Sequence, residues 1–353
     1  MDRSYYISLA NSGLKMPIGT DLVLHDRPNP EEIKLDGQLL GQVVEEAARR
    51  YHTPLAIPQM NLELEKVALL TLLGVPRSQA PTYHFSECPP KDALQAVENS
   101  SENQFTPELR AHIGAVKYVS SKPDLLPMGM SIGPFSLMTK LLKDPITPVY
   151  LAGTGITADE DEDVHTLEAV LELSTAMIMR SLKAQVKAGA KAVAIAEPAA
   201  NIVYLSPKQI EQGADIFDRY VINHNRRIKE FLDSHGVDLF FHCCGELTDH
   251  MVSRFASLEP VILSLGSSRK LWEDASIVPK HIVLFGNLPT KQFYSDDLIT
   301  VEQVVEKACE LIQKMREVNH PFILGSECDV LSVPGAHDTI KRKVQAFVEC
   351  KCC

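Results

Sequence analysis

A histidine and two adjacent cysteines end an apolar run in the middle of the chain, in the segment FFHCCGELTDH (240–250). Successive side chains of a β-strand point to opposite faces, so His242 and Cys244 share one face and Cys243 points to the other. Imidazole and thiolate groups are common metal ligands. The pattern therefore predicts that His242 and Cys244 are ligands of one metal site and that Cys243 packs in the core.

The strands that would position these residues form a repeating pattern along the chain. Short apolar runs alternate with longer stretches of helical periodicity. The runs are residues 53–60, 127–135, 148–153, 192–198, 237–243, 260–266, 281–287 and 321–327. Near-continuous apolar strands, each followed by a helix, are typical of a parallel sheet covered by helices.

About eight such strands over roughly 300 residues is the length of a (β/α)8 TIM barrel. We therefore predict one (β/α)8 barrel domain over residues 1–353, with residues 1–50 as an N-terminal extension. A doubly wound open sheet is the alternative. No GxGxxG motif lies between a strand and a helix, so no dinucleotide-binding signature favours that alternative.

The catalytic residues of such barrels lie at the C-terminal ends of the strands, which share one rim. Four of the predicted strands bring polar or sulfur side chains to that rim. They bring Glu197, His242 with Cys244, Asn287, and Cys328. Cys244 and Cys328 are too far apart in sequence for a zinc finger, but a closed barrel can bring them together.

Zinc fits His242, Cys244 and Cys328, because catalytic zinc sites use three protein ligands and leave a fourth position open. Two thiolates leave the metal electron-rich. This favours binding of a substrate thiol as its thiolate, and so alkyl transfer to sulfur over hydrolysis. Glu197 is a fourth ligand, a partner of a ligand, or a carboxylate at a helix N-terminus. Asn287 holds either a loop or a substrate.

The remaining cysteines are predicted to have no role in the site. Cys88 and Cys309 are interpreted as packing residues. The terminal CKCC (350–353) is expected to be a mobile chain end that meets adventitious metal or oxidation. The acidic stretch 159–163 is expected to be a solvated face.

Composition narrows the class of protein. The 353 residues are 45% hydrophobic and 23% charged, with a formal net charge of −11. No basic run or basic patch with aromatics occurs, which argues against nucleic acid or an anionic membrane as partner. The first residues do not have the pattern of a signal peptide, and no window has the roughly 18 apolar residues of a membrane span. We expect a cytoplasmic protein with reduced thiols.

Four segments resemble the uroporphyrinogen decarboxylase superfamily and, within it, the zinc-dependent corrinoid methyltransferases of the methylcobamide:coenzyme M methyltransferase type. Residues 242–245 (HCCG) match a His-x-Cys-Gly motif, and GSECDVLSVPGAHDTIK (325–341) is similar to the segment with the distant cysteine. MSIGPFSLMTKLLKDPI (130–146) and HIVLFGNLP (281–289) resemble two further segments. The resemblance covers roughly residues 15–348.

The resemblance implies a (β/α)8 barrel with zinc held by His242, Cys244 and Cys328. It also implies a methyl-corrinoid carried by a separate corrinoid protein, which would dock over the barrel mouth, and a small-molecule methyl donor or acceptor. Glu197 and Asn287 are then the expected catalytic residues. Six further residues near the mouth are candidates for a role in specificity, with a structural role as the alternative for each: Tyr83, His84, Met128, Met130, Asn201 and Tyr204.

Two alternative functions remain open at this point. The first is a cofactor-free decarboxylase of a tetrapyrrole, although its arginine-rich N-terminal segment has no counterpart here. Only Arg3 and Arg27 precede the Arg49-Arg50 pair. The second is a non-catalytic protein that binds corrinoid or zinc. No cobalamin-module motif of the Asp-x-His-x-x-Gly type occurs, so the chain itself is not expected to carry corrinoid.

Overall fold

Eight parallel strands form one curled sheet in the computed structural model, which describes residues 2–352. The strands are β1 (Lys15–Ile18), β2 (Leu55–Ala56), β3 (Leu126–Ile132), β4 (Ala192–Ala196), β5 (Asp238–Cys243), β6 (Ile262–Leu265), β7 (Val283–Leu288) and β8 (Phe322–Asp329). Their order is β1-β8-β7-β6-β5-β4-β3-β2. This architecture is TIM-barrel-like and confirms the predicted fold class.

Helices surround the sheet. They are α1 (Arg3–Asn11), α2 (Thr20–His25), α3 (Pro30–Ile33), α4 (Gly37–Arg50), α5 (Leu64–Leu72), α6 (Ala93–Asn99), α7 (Pro107–Val119), α8 (Pro134–Leu141), α9 (Ile146–Gly153), α10 (Glu162–Lys187), α11 (Pro207–Glu211), α12 (Asn223–Ser234), α13 (Asp249–Ala256), α14 (Leu271–Asp274), α15 (Val301–Val318) and α16 (His337–Glu349). A π-helical turn, Asp218–Ile222, precedes α12. Among residues 2–352, no helix combines the length and apolar content needed to cross a membrane.

The strands divide the apolar core into two layers. Inward-facing side chains, among them Met130, Phe240 and Phe285, form one buried cluster inside the barrel. Outward-facing side chains such as Phe241 and Leu263 join a larger cluster between sheet and helices. This division follows from the two-residue period of a strand, which places neighbours on opposite faces.

The N-terminal segment contributes a strand that sequence analysis did not predict. β1 (Lys15–Ile18) pairs with β8, so residues 1–50 supply part of the sheet and are more than an extension. Its sequence KMPI has only four residues and includes a lysine and a proline, which gives no apolar run to recognise. Helix α1 packs against β7 and β8, with Tyr6 buried in the interior cluster and its hydroxyl donating to Asp238 (2.7 Å).

Residues 148–153 do not form a strand, contrary to the prediction. They belong to α9. The Asp144 carboxylate accepts hydrogen bonds from the backbone N–H of Ile146 (3.0 Å) and Thr147 (3.2 Å), which supports the start of this helix. Short apolar runs do not distinguish a strand from a buried helix by periodicity alone.

The helical stretch between β4 and β5 is divided into two segments, α11 and α12. Ser206 is the N-cap of α11, and its hydroxyl accepts from the Gln209 N–H. The chain then leaves the helix at Gly213, where φ is +96°. This left-handed conformation is readily adopted by glycine, and it ends the first helical segment.

Candidate metal centre

The three predicted metal ligands lie together at the C-terminal ends of β5 and β8. His242 is within β5, Cys244 directly follows it, and Cys328 is near the end of β8. One ligand atom from each lies within 4.8 Å of the others. His242 is buried, whereas both cysteines are partly exposed. The site is therefore anchored in the barrel and reachable from its mouth.

Strand register fixes the orientation of the imidazole. His242 pairs with Ser264 of β6, and its Nδ1 is hydrogen-bonded to the Ser264 hydroxyl at 2.9 Å. The other ring nitrogen, Nε2, is buried without a hydrogen-bond partner. Leaving a buried polar atom unsatisfied costs about 1–3 kcal/mol. A metal ion bound at Nε2 would remove this cost, so the donor set fits a zinc ion.

The two thiols affect each other's protonation. The hydrogen bond with Cys328, together with the His242 ring, lowers the pKa of Cys244 to about 3. The same hydrogen bond to Cys244, together with burial, raises the pKa of Cys328. The two thiols therefore titrate as a coupled pair, and their contact favours loss of one proton from the pair.

A lysine supplies positive charge beside the sulfurs. Partial burial opposes ionisation of Lys291, but attraction to Cys244 and Glu327 outweighs it and raises the lysine pKa. Glu327 is itself fixed, because its carboxylate accepts from the Ser267 hydroxyl (2.6 Å) and the Lys291 N–H (3.2 Å). The positive charge of Lys291 thus acts to lower the pKa of both thiols, against the burial that raises it.

Cys243 lies on the opposite face from His242, as alternation predicts. It is fully buried in the outer core, and its Sγ lies 3.8 Å from the Ala200 carbonyl oxygen. Burial raises the pKa of this thiol. Cys243 is therefore a packing residue, as expected.

Glu197 is fully buried and is held by backbone and side-chain donors. Its carboxylate accepts from the backbone N–H of Phe135 (3.1 Å) and Ser136 (2.8 Å), at the N-terminus of α8, and from Asn225 Nδ2 (2.8 Å). Gly133 leaves room for it, because a Cβ there would lie 2.1 Å from the Glu197 carboxyl carbon. Burial raises the pKa of Glu197. Of the readings left open, this geometry matches the carboxylate at a helix N-terminus.

Asn287 lies at the rim, in β7, with its amide turned to a neighbouring loop. Its Nδ2 donates to the carbonyl oxygens of Gly266 (2.7 Å) and Arg269 (2.8 Å). Both bonds connect β7 to the loop that follows β6. These contacts match the alternative in which Asn287 holds a loop.

Sequence analysis missed three residues that shape the site: Ser264, Lys291 and Glu327. Ser264 is a polar residue within the apolar run 260–266, which is a recognisable signal. No sequence pattern marked Lys291 and Glu327 as site residues, because charged residues near strand ends are common.

The six candidates for a role in specificity have different environments. Met128 and Met130 are buried in the interior cluster of the barrel. Tyr83 and His84 are exposed. Asn201 forms a turn through its bond from the Val203 N–H (2.7 Å), and Tyr204 packs edge-on against Phe135. A specificity role for each stays a prediction.

The predictions for the other cysteines were partly wrong. Cys309 forms a disulfide with Cys352 instead of packing alone, and Cys88 is exposed. The disulfide holds the terminal segment against α15. Within that segment Cys350 is buried, with its Sγ 3.5 Å from Cys352 Sγ. The last cysteine of CKCC, at position 353, lies outside the described residues.

The protein has a TIM-barrel-like sheet, with one imidazole and two thiols together at the C-terminal ends of its strands. The model of the Uroporphyrinogen decarboxylase (URO-D) family matches residues 27–350, and the chain belongs to this family. Among solved structures, a methyltransferase from Methanosarcina mazei is similar, with a TM-score of 0.66 at 17% identity over 98% of this chain and 97% of that one. No curated protein sequence matches the chain.

Proposed function

We propose that this protein is a zinc-dependent methyltransferase. It moves a methyl group between a corrinoid carried by a partner protein and a small-molecule donor or acceptor. His242, Cys244 and Cys328 hold the zinc ion, and the enzyme works in the cytoplasm. The methyltransferase name of the structural neighbour and the family membership support this proposal.

The observation that carries the proposal is the convergence of three soft or borderline ligands at the barrel mouth. The ligand atoms lie within 4.8 Å of one another although the two thiols come from different strand ends. The buried, unpartnered Nε2 of His242 completes the set. Zinc bound by one imidazole and two thiolates binds a substrate thiol as its thiolate and leaves the sulfur nucleophilic.

The residues of the chain prepare this site in specific ways. Ser264 orients the His242 ring by its 2.9 Å bond to Nδ1, which leaves Nε2 as the ligand atom. Lys291 places a positive charge beside the sulfurs, and Glu327 orders the turn that carries it. The partial exposure of both cysteines allows a substrate to approach from the mouth.

Family membership alone would also fit decarboxylation of a tetrapyrrole, but the N-terminal arginines are not available for substrate carboxylates. Arg3 donates to the carbonyl oxygens of Glu259 (2.7 Å) and Pro260 (2.9 Å), before β6 begins. Arg27 pairs with Glu46. Arg49 and Arg50 also pair with carboxylates of this chain. The arrangement therefore favours the methyltransferase over the decarboxylase.

Zinc content is the first test. The chain is purified without chelator beside Cys244→Ala and Cys328→Ala, with the exposed Cys88→Ala as the matched control. We expect each site variant to lose one equivalent of zinc relative to the wild type, and the control to lose none. A wild type without zinc would refute the metal centre.

Turnover separates the enzyme from a storage protein. Methylcobalamin is supplied as the methyl donor with a small thiol as acceptor, and loss of the methylcobalamin absorbance is followed. We expect turnover in the wild type and in Cys88→Ala, and none in Cys328→Ser. Zinc binding without turnover in this assay or in the reverse direction would favour a zinc-binding protein. CO₂ release from a uroporphyrinogen by zinc-free protein would favour the decarboxylase.

A further inference from the structure

A second group of three cysteines lies at the other end of the barrel. Cys309 belongs to α15, and Cys350 and Cys352 follow α16. Cys350 and Cys352 line a cavity of about 570 Å³ together with Lys15 and Phe322, the first residues of β1 and β8. The N-terminal strand ends therefore border this group, whereas the proposed zinc site lies at the C-terminal ends.

The sulfur positions suit a metal ion as well as a disulfide. The three Sγ atoms lie within 4.8 Å of one another, and those of Cys350 and Cys352 are 3.5 Å apart. Thiolates bound tetrahedrally to zinc at about 2.3 Å are roughly 3.8 Å apart. A disulfide between Cys309 and Cys352 uses only two of the three sulfurs. The third, buried Cys350, contacts the Phe347 carbonyl oxygen at 3.0 Å.

The surroundings of this group carry positive charge. The cavity beside it is lined by Lys15, Arg316 and Lys351, and the described lining contains no carboxylate. The Lys15 ammonium donates to the Cys350 carbonyl oxygen. Three thiolates on a divalent ion carry a net charge of −1, which nearby cations stabilise.

We propose that Cys309, Cys350 and Cys352, when reduced, form a second metal site that takes a thiophilic divalent cation such as zinc. The ion joins the C-terminal segment (Cys350–Cys352) to α15 and so has a structural role. The Cys-x-Cys spacing brings two ligands to one ion, and Cys309 adds the third from a helix. This site is independent of the proposed methyl transfer, since it uses none of the same residues.

The metal-bound and disulfide forms exclude each other. An external dithiol or phosphine must first donate two electrons to the Cys309–Cys352 disulfide, which yields two thiols and the oxidised reductant. Binding of the cation then releases the thiol protons to solvent. The oxidised protein retains only the Cys350 thiol and should not hold the ion.

The test uses Co²⁺ as a spectroscopic probe in full-length protein that carries Cys244→Ala and Cys328→Ala, which removes the first proposed site. After reduction with a phosphine and its removal under anaerobic conditions, Co²⁺ is titrated. We expect one equivalent to bind with thiolate-to-cobalt charge-transfer absorption. Adding Cys350→Ser or Cys309→Ser should abolish this band, whereas adding Cys88→Ser should not.

A second measurement needs no substituted protein, so its result does not depend on whether a variant folds. In the reduced protein, zinc should protect Cys309, Cys350 and Cys352 from alkylation, as mapped by mass spectrometry, while exposed Cys88 reacts at an unchanged rate. The proposal is overturned if the reduced protein binds no Co²⁺, if Cys350→Ser binds it equally, or if zinc gives no protection. The cysteines would then form a disulfide only.

Discussion

The Ser264 hydroxyl lies 2.9 Å from Nδ1 of His242, on the neighbouring strand and at the paired register position. This bond occupies Nδ1 and leaves the other ring nitrogen, Nε2, free to act as one of the three proposed ligand atoms. It links a residue that sequence analysis missed to one that it identified. A metal-binding histidine usually has such a partner, because the partner fixes the tautomer and the ring orientation.

Replacing Ser264 by Ala should weaken zinc binding. Loss of a partner of this kind typically lowers metal affinity about 10–100-fold. Affinity is measured by competition with a chromophoric chelator. Ser276→Ala, on an exposed turn away from the site, is the control and should bind zinc as the wild type does. Unchanged affinity in Ser264→Ala would show that the ring is held by other contacts.

Replacing Asn287 by Ala should lower stability without loss of zinc. The variant loses two hydrogen bonds to the loop after β6, each worth about 0.5–1.5 kcal/mol. Asn287→Asp should destabilise more, because a carboxylate would face two carbonyl oxygens. Thermal unfolding and zinc content are measured together. A large fall in kcat with unchanged stability would instead support the catalytic role expected from the resemblance.

Replacing Gly133 by Ala should destabilise the fold, because the new Cβ would overlap the Glu197 carboxylate. Overpacking of this kind costs about 1–3 kcal/mol. Glu197→Ala should also destabilise, since α8 and Asn225 lose their acceptor.

A double-mutant cycle tests whether these two effects share one cause. In Gly133→Ala/Glu197→Ala the overlap is gone, so the combined loss in the free energy of unfolding should be smaller than the sum of the single losses. Strict additivity would mean that the two residues do not meet as described.

Replacing Glu65 by Gln should change the pH dependence of stability. Glu65 is fully buried between the Ser131 (2.9 Å) and Ser181 (3.0 Å) hydroxyls, and burial raises its pKa from 4.5 to about 7. The folded state thus binds more protons than the unfolded state between these pH values. The Glu65 contribution to stability therefore falls as pH rises from 4.5 to 7 and stays constant above 7.

Glu65→Gln lacks this ionisation. The free energy of unfolding of Glu65→Gln minus that of the wild type should therefore increase by about 3 kcal/mol from pH 4.5 to 7. Urea titrations at several pH values measure it. A difference that is constant across this range would show that Glu65 does not titrate as described.

The secondary structure was predictable where a segment carried its own signal. Runs such as 237–243 and 281–287 are long and apolar enough to identify buried strands. β1 was missed because four residues with a lysine and a proline carry no such signal. Its place in the sheet depends on pairing with β8, which begins about 300 residues later.

The sequence by itself determined the types of the proposed ligands and the face they share. Strand alternation placed His242 and Cys243 on opposite sides, and the barrel length indicated that Cys328 reaches the same rim. Only the tertiary structure decided which atoms partner those ligands. Ser264, Lys291 and the Cys309–Cys352 disulfide come from distant segments, and their contacts depend on strand register and helix packing, which local residue patterns do not encode.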